Sequence, residues 1–209
     1  MKTNFLNIFA AATVALLASA GANATTITFD QLFSAGTGYT YVDPIYQEEN
    51  SPYIFSSSVN SGGSNFASPQ LDSISYVPTG DSNNASLFNN FDSATTKLYR
   101  DDGLTFSLLS IDLAPFLPGQ SNSGAEVQFF GFDAGDNAIA YADAFVGTDF
   151  AFHTYFFDGF DNVAYVTWDQ VGPYHQFDNV VIADVPEPAS LLLLGTALAG
   201  LGFSRRKQA

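Results

Sequence analysis

Short hydrophobic runs alternate with clusters of Gly, Asn, Asp, Ser and Pro between residues 25 and 184. Alternation of apolar and polar positions is typical of strands that bury one face, and the clusters are typical of turns. No window in this stretch keeps a 3.6-residue apolar period, so few helices are expected. The predicted strands are Thr26–Phe33, Tyr39–Tyr46, Tyr53–Ser58, Ser86–Phe91, Leu104–Leu113, Ala125–Asp133, Ala138–Phe145, Phe150–Phe157, Asn162–Asp169 and Gln176–Ala183.

The predicted strands after Leu104 follow one another at short, regular intervals. Such a series predicts an all-β domain, a two-sheet antiparallel β-sandwich of the jelly-roll type. The first half is looser, because Ser56–Ser68 and Val77–Asn90 have few apolar residues and are expected to form long loops. Neither a linker nor a repeat divides residues 25–184, so we expect one domain, with 18 of the 21 Phe and all 10 Tyr available for its core.

The N-terminus has the pattern of a secretory signal peptide. Lys2 precedes the apolar run Phe5–Leu17, and small residues then end in Ala22-Asn23-Ala24. A basic start, an apolar run and an A-x-A site in this order predict cleavage after residue 24, with Thr25 as the first mature residue. The alternative is a buried first helix of the domain.

The C-terminus, residues 185–209, has three parts in a fixed order: Pro186-Glu187-Pro188, an apolar stretch and a basic tail. The stretch Ala189–Phe203 predicts a short transmembrane helix, although a full span needs roughly 20 residues. The basic residues of the tail, Arg205, Arg206 and Lys207, would hold the end of the chain in the cytoplasm. The two prolines keep the motif extended, as a protease-like cleft prefers.

These three parts together resemble the PEP-CTERM sorting signal of Gram-negative bacteria. The resemblance implies that exosortase, a membrane transpeptidase, recognises Pro186, Glu187 and Pro188 together with Arg205 and Arg206, and removes the tail. The protein would be exported, held transiently in the inner membrane by the C-terminal helix, and then passed to the cell surface or an exopolysaccharide matrix. A permanent anchor that is never processed is the alternative.

Charge and cysteine content exclude several classes of function. The formal net charge is -15, and Lys97 and Arg100 are the only basic residues between Thr25 and Asp184. Such a surface repels nucleic acid phosphates and anionic membranes. The chain has no Cys, which excludes disulfides, thiolate metal sites and a Cys nucleophile.

The sequence offers few candidate catalytic residues, and we expect the protein not to be an enzyme. His153 and His175 are the two histidines, and no Gly-x-Ser-x-Gly motif accompanies them. Many Asp residues lie within two positions of a Gly or Asn, a pattern typical of turns. A surface hydrolase with two carboxylates or a Ser–His pair in one cleft remains an alternative function, and a purely structural matrix protein is another.

The strand pattern of the domain resembles the carbohydrate-binding jelly rolls found ahead of PEP-CTERM signals. The resemblance rests on four segments: Ile27-Thr28-Phe29-Asp30 near the start, Phe106 to Leu113, Gln128-Phe129-Phe130-Gly131-Phe132-Asp133, and Phe177-Asp178-Asn179-Val180-Val181-Ile182 near the end. It implies a non-catalytic binding module and a structural calcium ion between the first and last strands, at Asp30 and Asp178. A turn or capping role for these two residues is the alternative.

Aromatic side chains flanked by polar groups are candidates for sugar binding, since aromatic rings stack on pyranose rings. Trp168, Tyr174 and His175 form one such cluster, and core packing is the alternative for each. A second cluster near the N-terminus comprises Tyr39, Tyr41, Tyr46 and Tyr53. The acidic surface favours a neutral polysaccharide as partner.

Overall fold

The computed structural model describes residues 24–33, 38–60, 63–69, 85–116 and 124–185. The signal peptide up to residue 23, the Pro-Glu-Pro motif, the apolar stretch and the basic tail lie outside the described residues. Residues Ala24–Asp184 form one compact unit. Among the described residues no helix is long and apolar enough to cross a membrane.

Regular structure in the described residues consists of strands and a single-turn 3-10 helix, Asp30–Leu32. In chain order the strands are β1 (Ala24–Ile27), β2 (Tyr39–Val42), β3 (Ile45–Gln47), β4 (Tyr53–Ser57), β5 (Phe66–Pro69), β6 (Phe88–Asn89), β7 (Thr95–Arg100), β8 (Phe106–Pro115), β9 (Ala125–Phe132), β10 (Ala138–Val146), β11 (His153–Phe156), β12 (Tyr165–Asp169) and β13 (His175–Asp184).

The strands form an antiparallel β-sandwich, as the sequence predicts. One sheet has the order β1-β13-β8-β11 and the other has the order β10-β9-β12-β7-β4-β3. Without β3 and β4, eight strands remain in two four-stranded sheets, connected as in a jelly roll. The inserted strands β3 and β4 extend the second sheet, and β2, β5 and β6 form a small third sheet.

A single aromatic-rich core fills the space between the two main sheets. Alternation along β9 buries Val127 and Phe129, as period-two patterning requires. The ring of Phe177 from β13 lies 5.1 Å from that of Trp168 in β12 and 5.8 Å from that of Phe55 in β4. Side chains from both sheets therefore interlock, and the core needs no disulfide.

The sequence pattern missed one central strand. β7 pairs with both β12 and β4, yet Thr95–Arg100 contains four polar residues and was not among the predicted strands. Its buried face consists of Thr96 and Leu98 alone, so the apolar signal is weak. Residue types alone do not predict this strand, because β7 is stabilised by hydrogen bonds to two neighbouring strands.

Two predictions for the first half of the domain were also wrong in detail. The predicted strand Tyr39–Tyr46 divides at Asp43-Pro44 into β2 and β3, which belong to different sheets. Proline lacks the N–H that a continuous strand needs. Part of the predicted loop Ser56–Ser68 is strand β5, where all four residues are buried.

Candidate functional site

The outer side of the six-stranded sheet carries a group of aromatic side chains. It arises because β9 has phenylalanines on both of its faces: Phe129 points into the core, whereas Phe130 and Phe132 alternate to the outside. Strands β7, β10 and β12 add tyrosines on the same side. We call this surface the aromatic face, and its members are Tyr99, Phe130, Phe132, Tyr141 and Tyr165.

Strand register arranges these rings in two rows across the sheet. Phe132 of β9 lies opposite Tyr165 of β12, which lies opposite Tyr99 of β7. The Phe132 and Tyr165 rings stack with centroids 4.7 Å apart and planes 14° apart. In the second row Phe130 lies opposite Tyr141, with ring centroids 5.1 Å apart. Tyr141 is 50% exposed, so its ring offers the open surface of the group.

Lys97 places a positive charge on the aromatic face. Its Nζ lies 3.7 Å from the centroid of Tyr165 and 5.6 Å from that of Tyr99. A cation over a ring face is attracted by the ring's quadrupole, so Lys97 is held over the first row. Tyr165 thus has Phe132 stacked against it and Lys97 over its ring, which leaves the second row for contact with a ligand.

Carboxylates fix the tyrosine hydroxyls at the margin of the aromatic face. The Tyr165 hydroxyl donates to Asp136 Oδ1 at 2.9 Å, and the Tyr141 hydroxyl donates to Asp143. The hydrogen bond to Asp143 raises the pKa of Tyr141 to about 12. Desolvation and Asp136 raise the pKa of Tyr165. Both hydroxyls stay protonated at physiological pH, so the face keeps one hydrogen-bonding pattern.

This arrangement is suited to binding a ligand. The open ring of Tyr141 can pack against the C–H face of a sugar, while Asp143 and Lys97 offer an acceptor and a donor. The face can therefore stack against a ligand and form hydrogen bonds with it.

The predicted platform of Trp168, Tyr174 and His175 is wrong for this structure. Trp168 is 2% exposed, and its ring lies 5.3 Å from that of Phe129 in the core. Tyr174 is partly buried and packs against Phe116 at 6.4 Å. His175 is fully buried. A buried ring has no free face for a sugar, because alternation along β12 turns Trp168 inward.

The N-terminal tyrosines are also divided by the fold. Tyr46 and Tyr53 are buried, whereas Tyr41 is exposed and Tyr39 packs in the small cluster with Phe88. Tyr39 and Tyr41 lie together, with ring centroids 6.1 Å apart, but the four tyrosines do not form one surface.

His175 is a titratable group that the fold buries completely. Neither ring nitrogen has a hydrogen-bond partner among the described residues. Burial lowers the pKa of His175 to about 3, because the charged imidazolium would lose its hydration. The side chain is therefore neutral and structural under physiological conditions.

The predicted calcium residues lie near the expected strand pair. β1 pairs with β13, with Ile27 opposite Val180; Asp30 is exposed just after β1, and Asp178 is buried in β13. In the part of the chain that the structure describes, no group of three or more His, Cys, Asp or Glu side chains could hold a metal. Calcium prefers six to eight oxygen ligands, so two carboxylates alone are too few. A calcium site at Asp30 and Asp178 stays a prediction.

His153 contacts Asp149 at the surface. Its Nε2 lies 2.7 Å from Asp149 Oδ2, and both side chains are exposed. In the described ranges no serine hydroxyl is paired with this imidazole. The contact between His153 and Asp149 lies at the exposed start of β11. It does not by itself form a catalytic site.

The sequence reasoning missed the aromatic face. Its signal was present in Gln128-Phe129-Phe130-Gly131-Phe132, where adjacent phenylalanines must point to opposite sides of a strand. When a strand has large apolar residues on both faces, the face that points away from the core is either covered by other residues or exposed as an apolar patch. What the sequence could not show is which strands flank β9.

Comparison with known proteins gives a match at the C-terminus. Residues 184–207 match the PEP-CTERM protein-sorting motif. The matched segment begins at Asp184, the last residue of β13. No curated protein matches the chain.

Solved structures show similarity of fold. A DUF4465 family protein from Bacteroides caccae is 13% identical, with a TM-score of 0.53 over 78% of this chain and 100% of that chain. A DUF4465 family protein from Bacteroides ovatus is 9% identical, with a TM-score of 0.42 over 78% and 99%. A family 29 carbohydrate-binding module is 10% identical, with a TM-score of 0.39 over 71% and 92%. At these identities the first similarity describes the fold alone.

Proposed function

We propose that this protein is exported, sorted by exosortase to the cell surface or extracellular matrix, and binds a neutral glycan there without catalysis. The PEP-CTERM motif at residues 184–207 supports the sorting step. The aromatic face supports the binding step. The observation that carries this second step is the half-exposed ring of Tyr141 beside Phe130 on a rigid sheet.

Rigidity favours binding by this surface. Tyr141 and Phe130 lie on paired strands, and the Tyr141 hydroxyl is held by Asp143. A ring that is already ordered loses little conformational entropy when a ligand packs against it. Sugar rings present C–H groups on their faces, and these replace water on an exposed aromatic surface.

The charge around the aromatic face favours a neutral ligand. Lys97 is the single basic side chain on this surface, whereas Glu126, Asp136 and Asp143 lie at its margin. The domain as a whole is strongly acidic. An anionic polysaccharide would be repelled unless cations bridge the two surfaces.

Affinity electrophoresis through gels that contain neutral polysaccharides tests the proposed binding. We expect a β-glucan or a mannan to retard the wild-type protein, and Tyr141→Ala and Phe130→Ala to reduce that retardation. Ile45→Ala is the matched control, because Ile45 is an exposed apolar residue at the opposite edge of the same sheet. Equal retardation of Tyr141→Ala and wild type would exclude the aromatic face as the binding surface.

The same gels and a reducing-end assay separate the alternatives. A hydrolase releases new reducing ends from a polysaccharide, whereas a binding module leaves the polymer intact. A purely structural matrix protein shows neither retardation nor cleavage with any polymer tested. We expect retardation without cleavage.

A further inference from the structure

The strand β10 forms one edge of the six-stranded sheet. It is nine residues long and pairs with β9 on one side; in the part of the chain that the structure describes, no strand pairs with its other side. An edge strand has N–H and C=O groups that can pair with another chain. One such carbonyl on β10, that of Phe145, accepts a hydrogen bond from the Tyr155 hydroxyl. Edge strands of this length are usually protected against such pairing.

The protection on β10 is slight. Ala138–Val146 contains no Lys, Arg or Pro, and its one charged side chain, Asp143, is bound by the neighbouring Tyr141 hydroxyl. A register shift between Ala138 and Ala140 distorts one end of the strand. Apolar side chains remain at the surface, since Ile139 is 48% and Phe145 is 59% exposed. Lysines or prolines in an edge strand would normally prevent such pairing.

The sequence of β10 is complementary to itself about Ala142. Two antiparallel copies centred there place each Ile139 opposite a Phe145 and each Tyr141 opposite an Asp143. All four side chains are exposed in each copy, and alternation along β10 places Tyr141, Asp143 and Phe145 on the outer side of the sheet. The first pairing joins two apolar side chains, and the second joins a phenol donor to a carboxylate acceptor. A shift of two residues in the register loses both pairings.

The inner side of β10 also fits a second copy. Ala140 and Ala142 are only partly buried, although they pack against the core, so the core is incompletely covered at this edge. In the same register Ala142 meets Ala142 of the second copy and Ala140 meets Ala144. Alanine side chains are small enough for two sheet edges to approach without overlap.

We propose that two copies of this protein associate through antiparallel pairing of their β10 strands, centred on Ala142, into one continuous twelve-stranded sheet. Each copy then contributes its aromatic face to the same side of that sheet. If the proposed function holds, the two glycan-binding surfaces of the dimer would raise its avidity for a long polysaccharide. The association itself does not depend on glycan binding.

Electrostatics opposes this association at low salt. Each copy carries a large negative charge, and the two Asp143 side chains lie near each other across the junction. Salt screens such repulsion, with a Debye length of about 8 Å at physiological ionic strength. The proposed pairing therefore strengthens as sodium chloride is raised.

Disulfide cross-linking of the full chain tests the register, because the wild-type protein has no Cys. In the proposed dimer the Cβ atoms at position 142 lie about 4.5–5.5 Å apart, within reach of a disulfide after slight adjustment. We expect Ala142→Cys, exported and treated with a mild oxidant at physiological salt, to run as a reducible dimer. The matched control is Ala140→Cys, which has the same side chain and a similar burial but is offset by about 13 Å from its counterpart.

Two outcomes of this experiment overturn the proposal. One is an Ala142→Cys variant that stays monomeric, and the other is equal cross-linking of Ala142→Cys and Ala140→Cys. A second pair of variants examines the contact itself. Phe145→Lys in the Ala142→Cys background should abolish the dimer, whereas Ile45→Lys, at the opposite edge of the sheet, should leave it unchanged. Persistence of the dimer in the Phe145→Lys variant also overturns the proposal.

Discussion

Trp168 and Tyr141 show how neighbouring residues decide the role of an aromatic side chain. The sequence favoured Trp168 as a sugar platform because polar residues follow it, yet its ring is packed between Phe129 and Phe177. Tyr141 lies among alanines on an edge strand and remains half exposed. The polarity of the residues next to an aromatic side chain in sequence therefore does not show whether that side chain lies in the core or at the surface.

Replacing each of these two residues by Ala should give opposite results. Trp168→Ala should lower the free energy of unfolding by about 3–5 kcal/mol, because it leaves a cavity in the core. Tyr141→Ala should change it by about 0.5 kcal/mol, as is usual for surface residues. Urea denaturation followed by fluorescence measures both, with tyrosine emission used for the Trp168 variant. A small loss for Trp168→Ala would contradict its place in the core.

His175 should make stability depend on pH in the acidic range. Its folded-state pKa is lowered to about 3, below the usual value of 6.5, so the unfolded chain binds the proton more readily. The stabilisation by neutral His175 is complete above pH 6.5 and is lost as the pH falls toward 3.

His175→Leu should remove that part of the pH dependence, because leucine does not titrate. The comparison is the melting temperature between pH 7 and pH 4 for wild type and variant. If His175→Leu keeps the wild-type pH profile, His175 is not buried as described.

At the scale of single elements, the end of β13 is tied to β7 and β4. Arg100 of β7 forms ion pairs with Asp184 and, at 2.6 Å, with Asp102. The Tyr53 hydroxyl of β4 donates to Asp184 at 2.6 Å. These contacts hold the last residue of the sandwich just ahead of the Pro-Glu-Pro motif. They join the two main sheets at this end.

Arg100→Met should loosen this junction. The variant keeps much of the aliphatic length but leaves Asp102 and Asp184 without their cation, and a loss of about 1–3 kcal/mol in stability is expected from the charged hydrogen bonds. Hydrogen exchange should become faster at Ile182–Asp184. Lys97→Met is the control on the same strand. Unchanged exchange at Asp184 in Arg100→Met would show that the ion pairs do not hold β13.

For the whole molecule, the sorting signal makes a prediction that is independent of the domain. Replacing Pro186, Glu187 and Pro188 by Ala should leave export intact but prevent removal of the tail, because the motif would no longer be recognised. The intact mass of protein from the native host measures this. Gln208→Ala, beyond the matched segment, is the control. Wild-type protein that retains Arg205–Ala209 at the surface would refute processing.

The sequence by itself determined the class of fold and the sorting motif at the C-terminal end of the chain. Alternating apolar positions and turn residues are local signals, so they predicted an antiparallel sandwich without knowledge of strand order. The order of Pro186-Glu187-Pro188, apolar stretch and basic tail is also a linear signal, and the PEP-CTERM match confirms it.

Only the tertiary structure decided which side chains share a surface. Strand β7 is far from β9 and β12 in sequence, yet register places Lys97, Tyr165 and Phe130 on one side of the sheet. The tertiary structure also buries Trp168 and His175 in the core and places β10 at an edge of its sheet. Neighbours in a sheet are set by long-range pairing and burial, which local patterns do not encode.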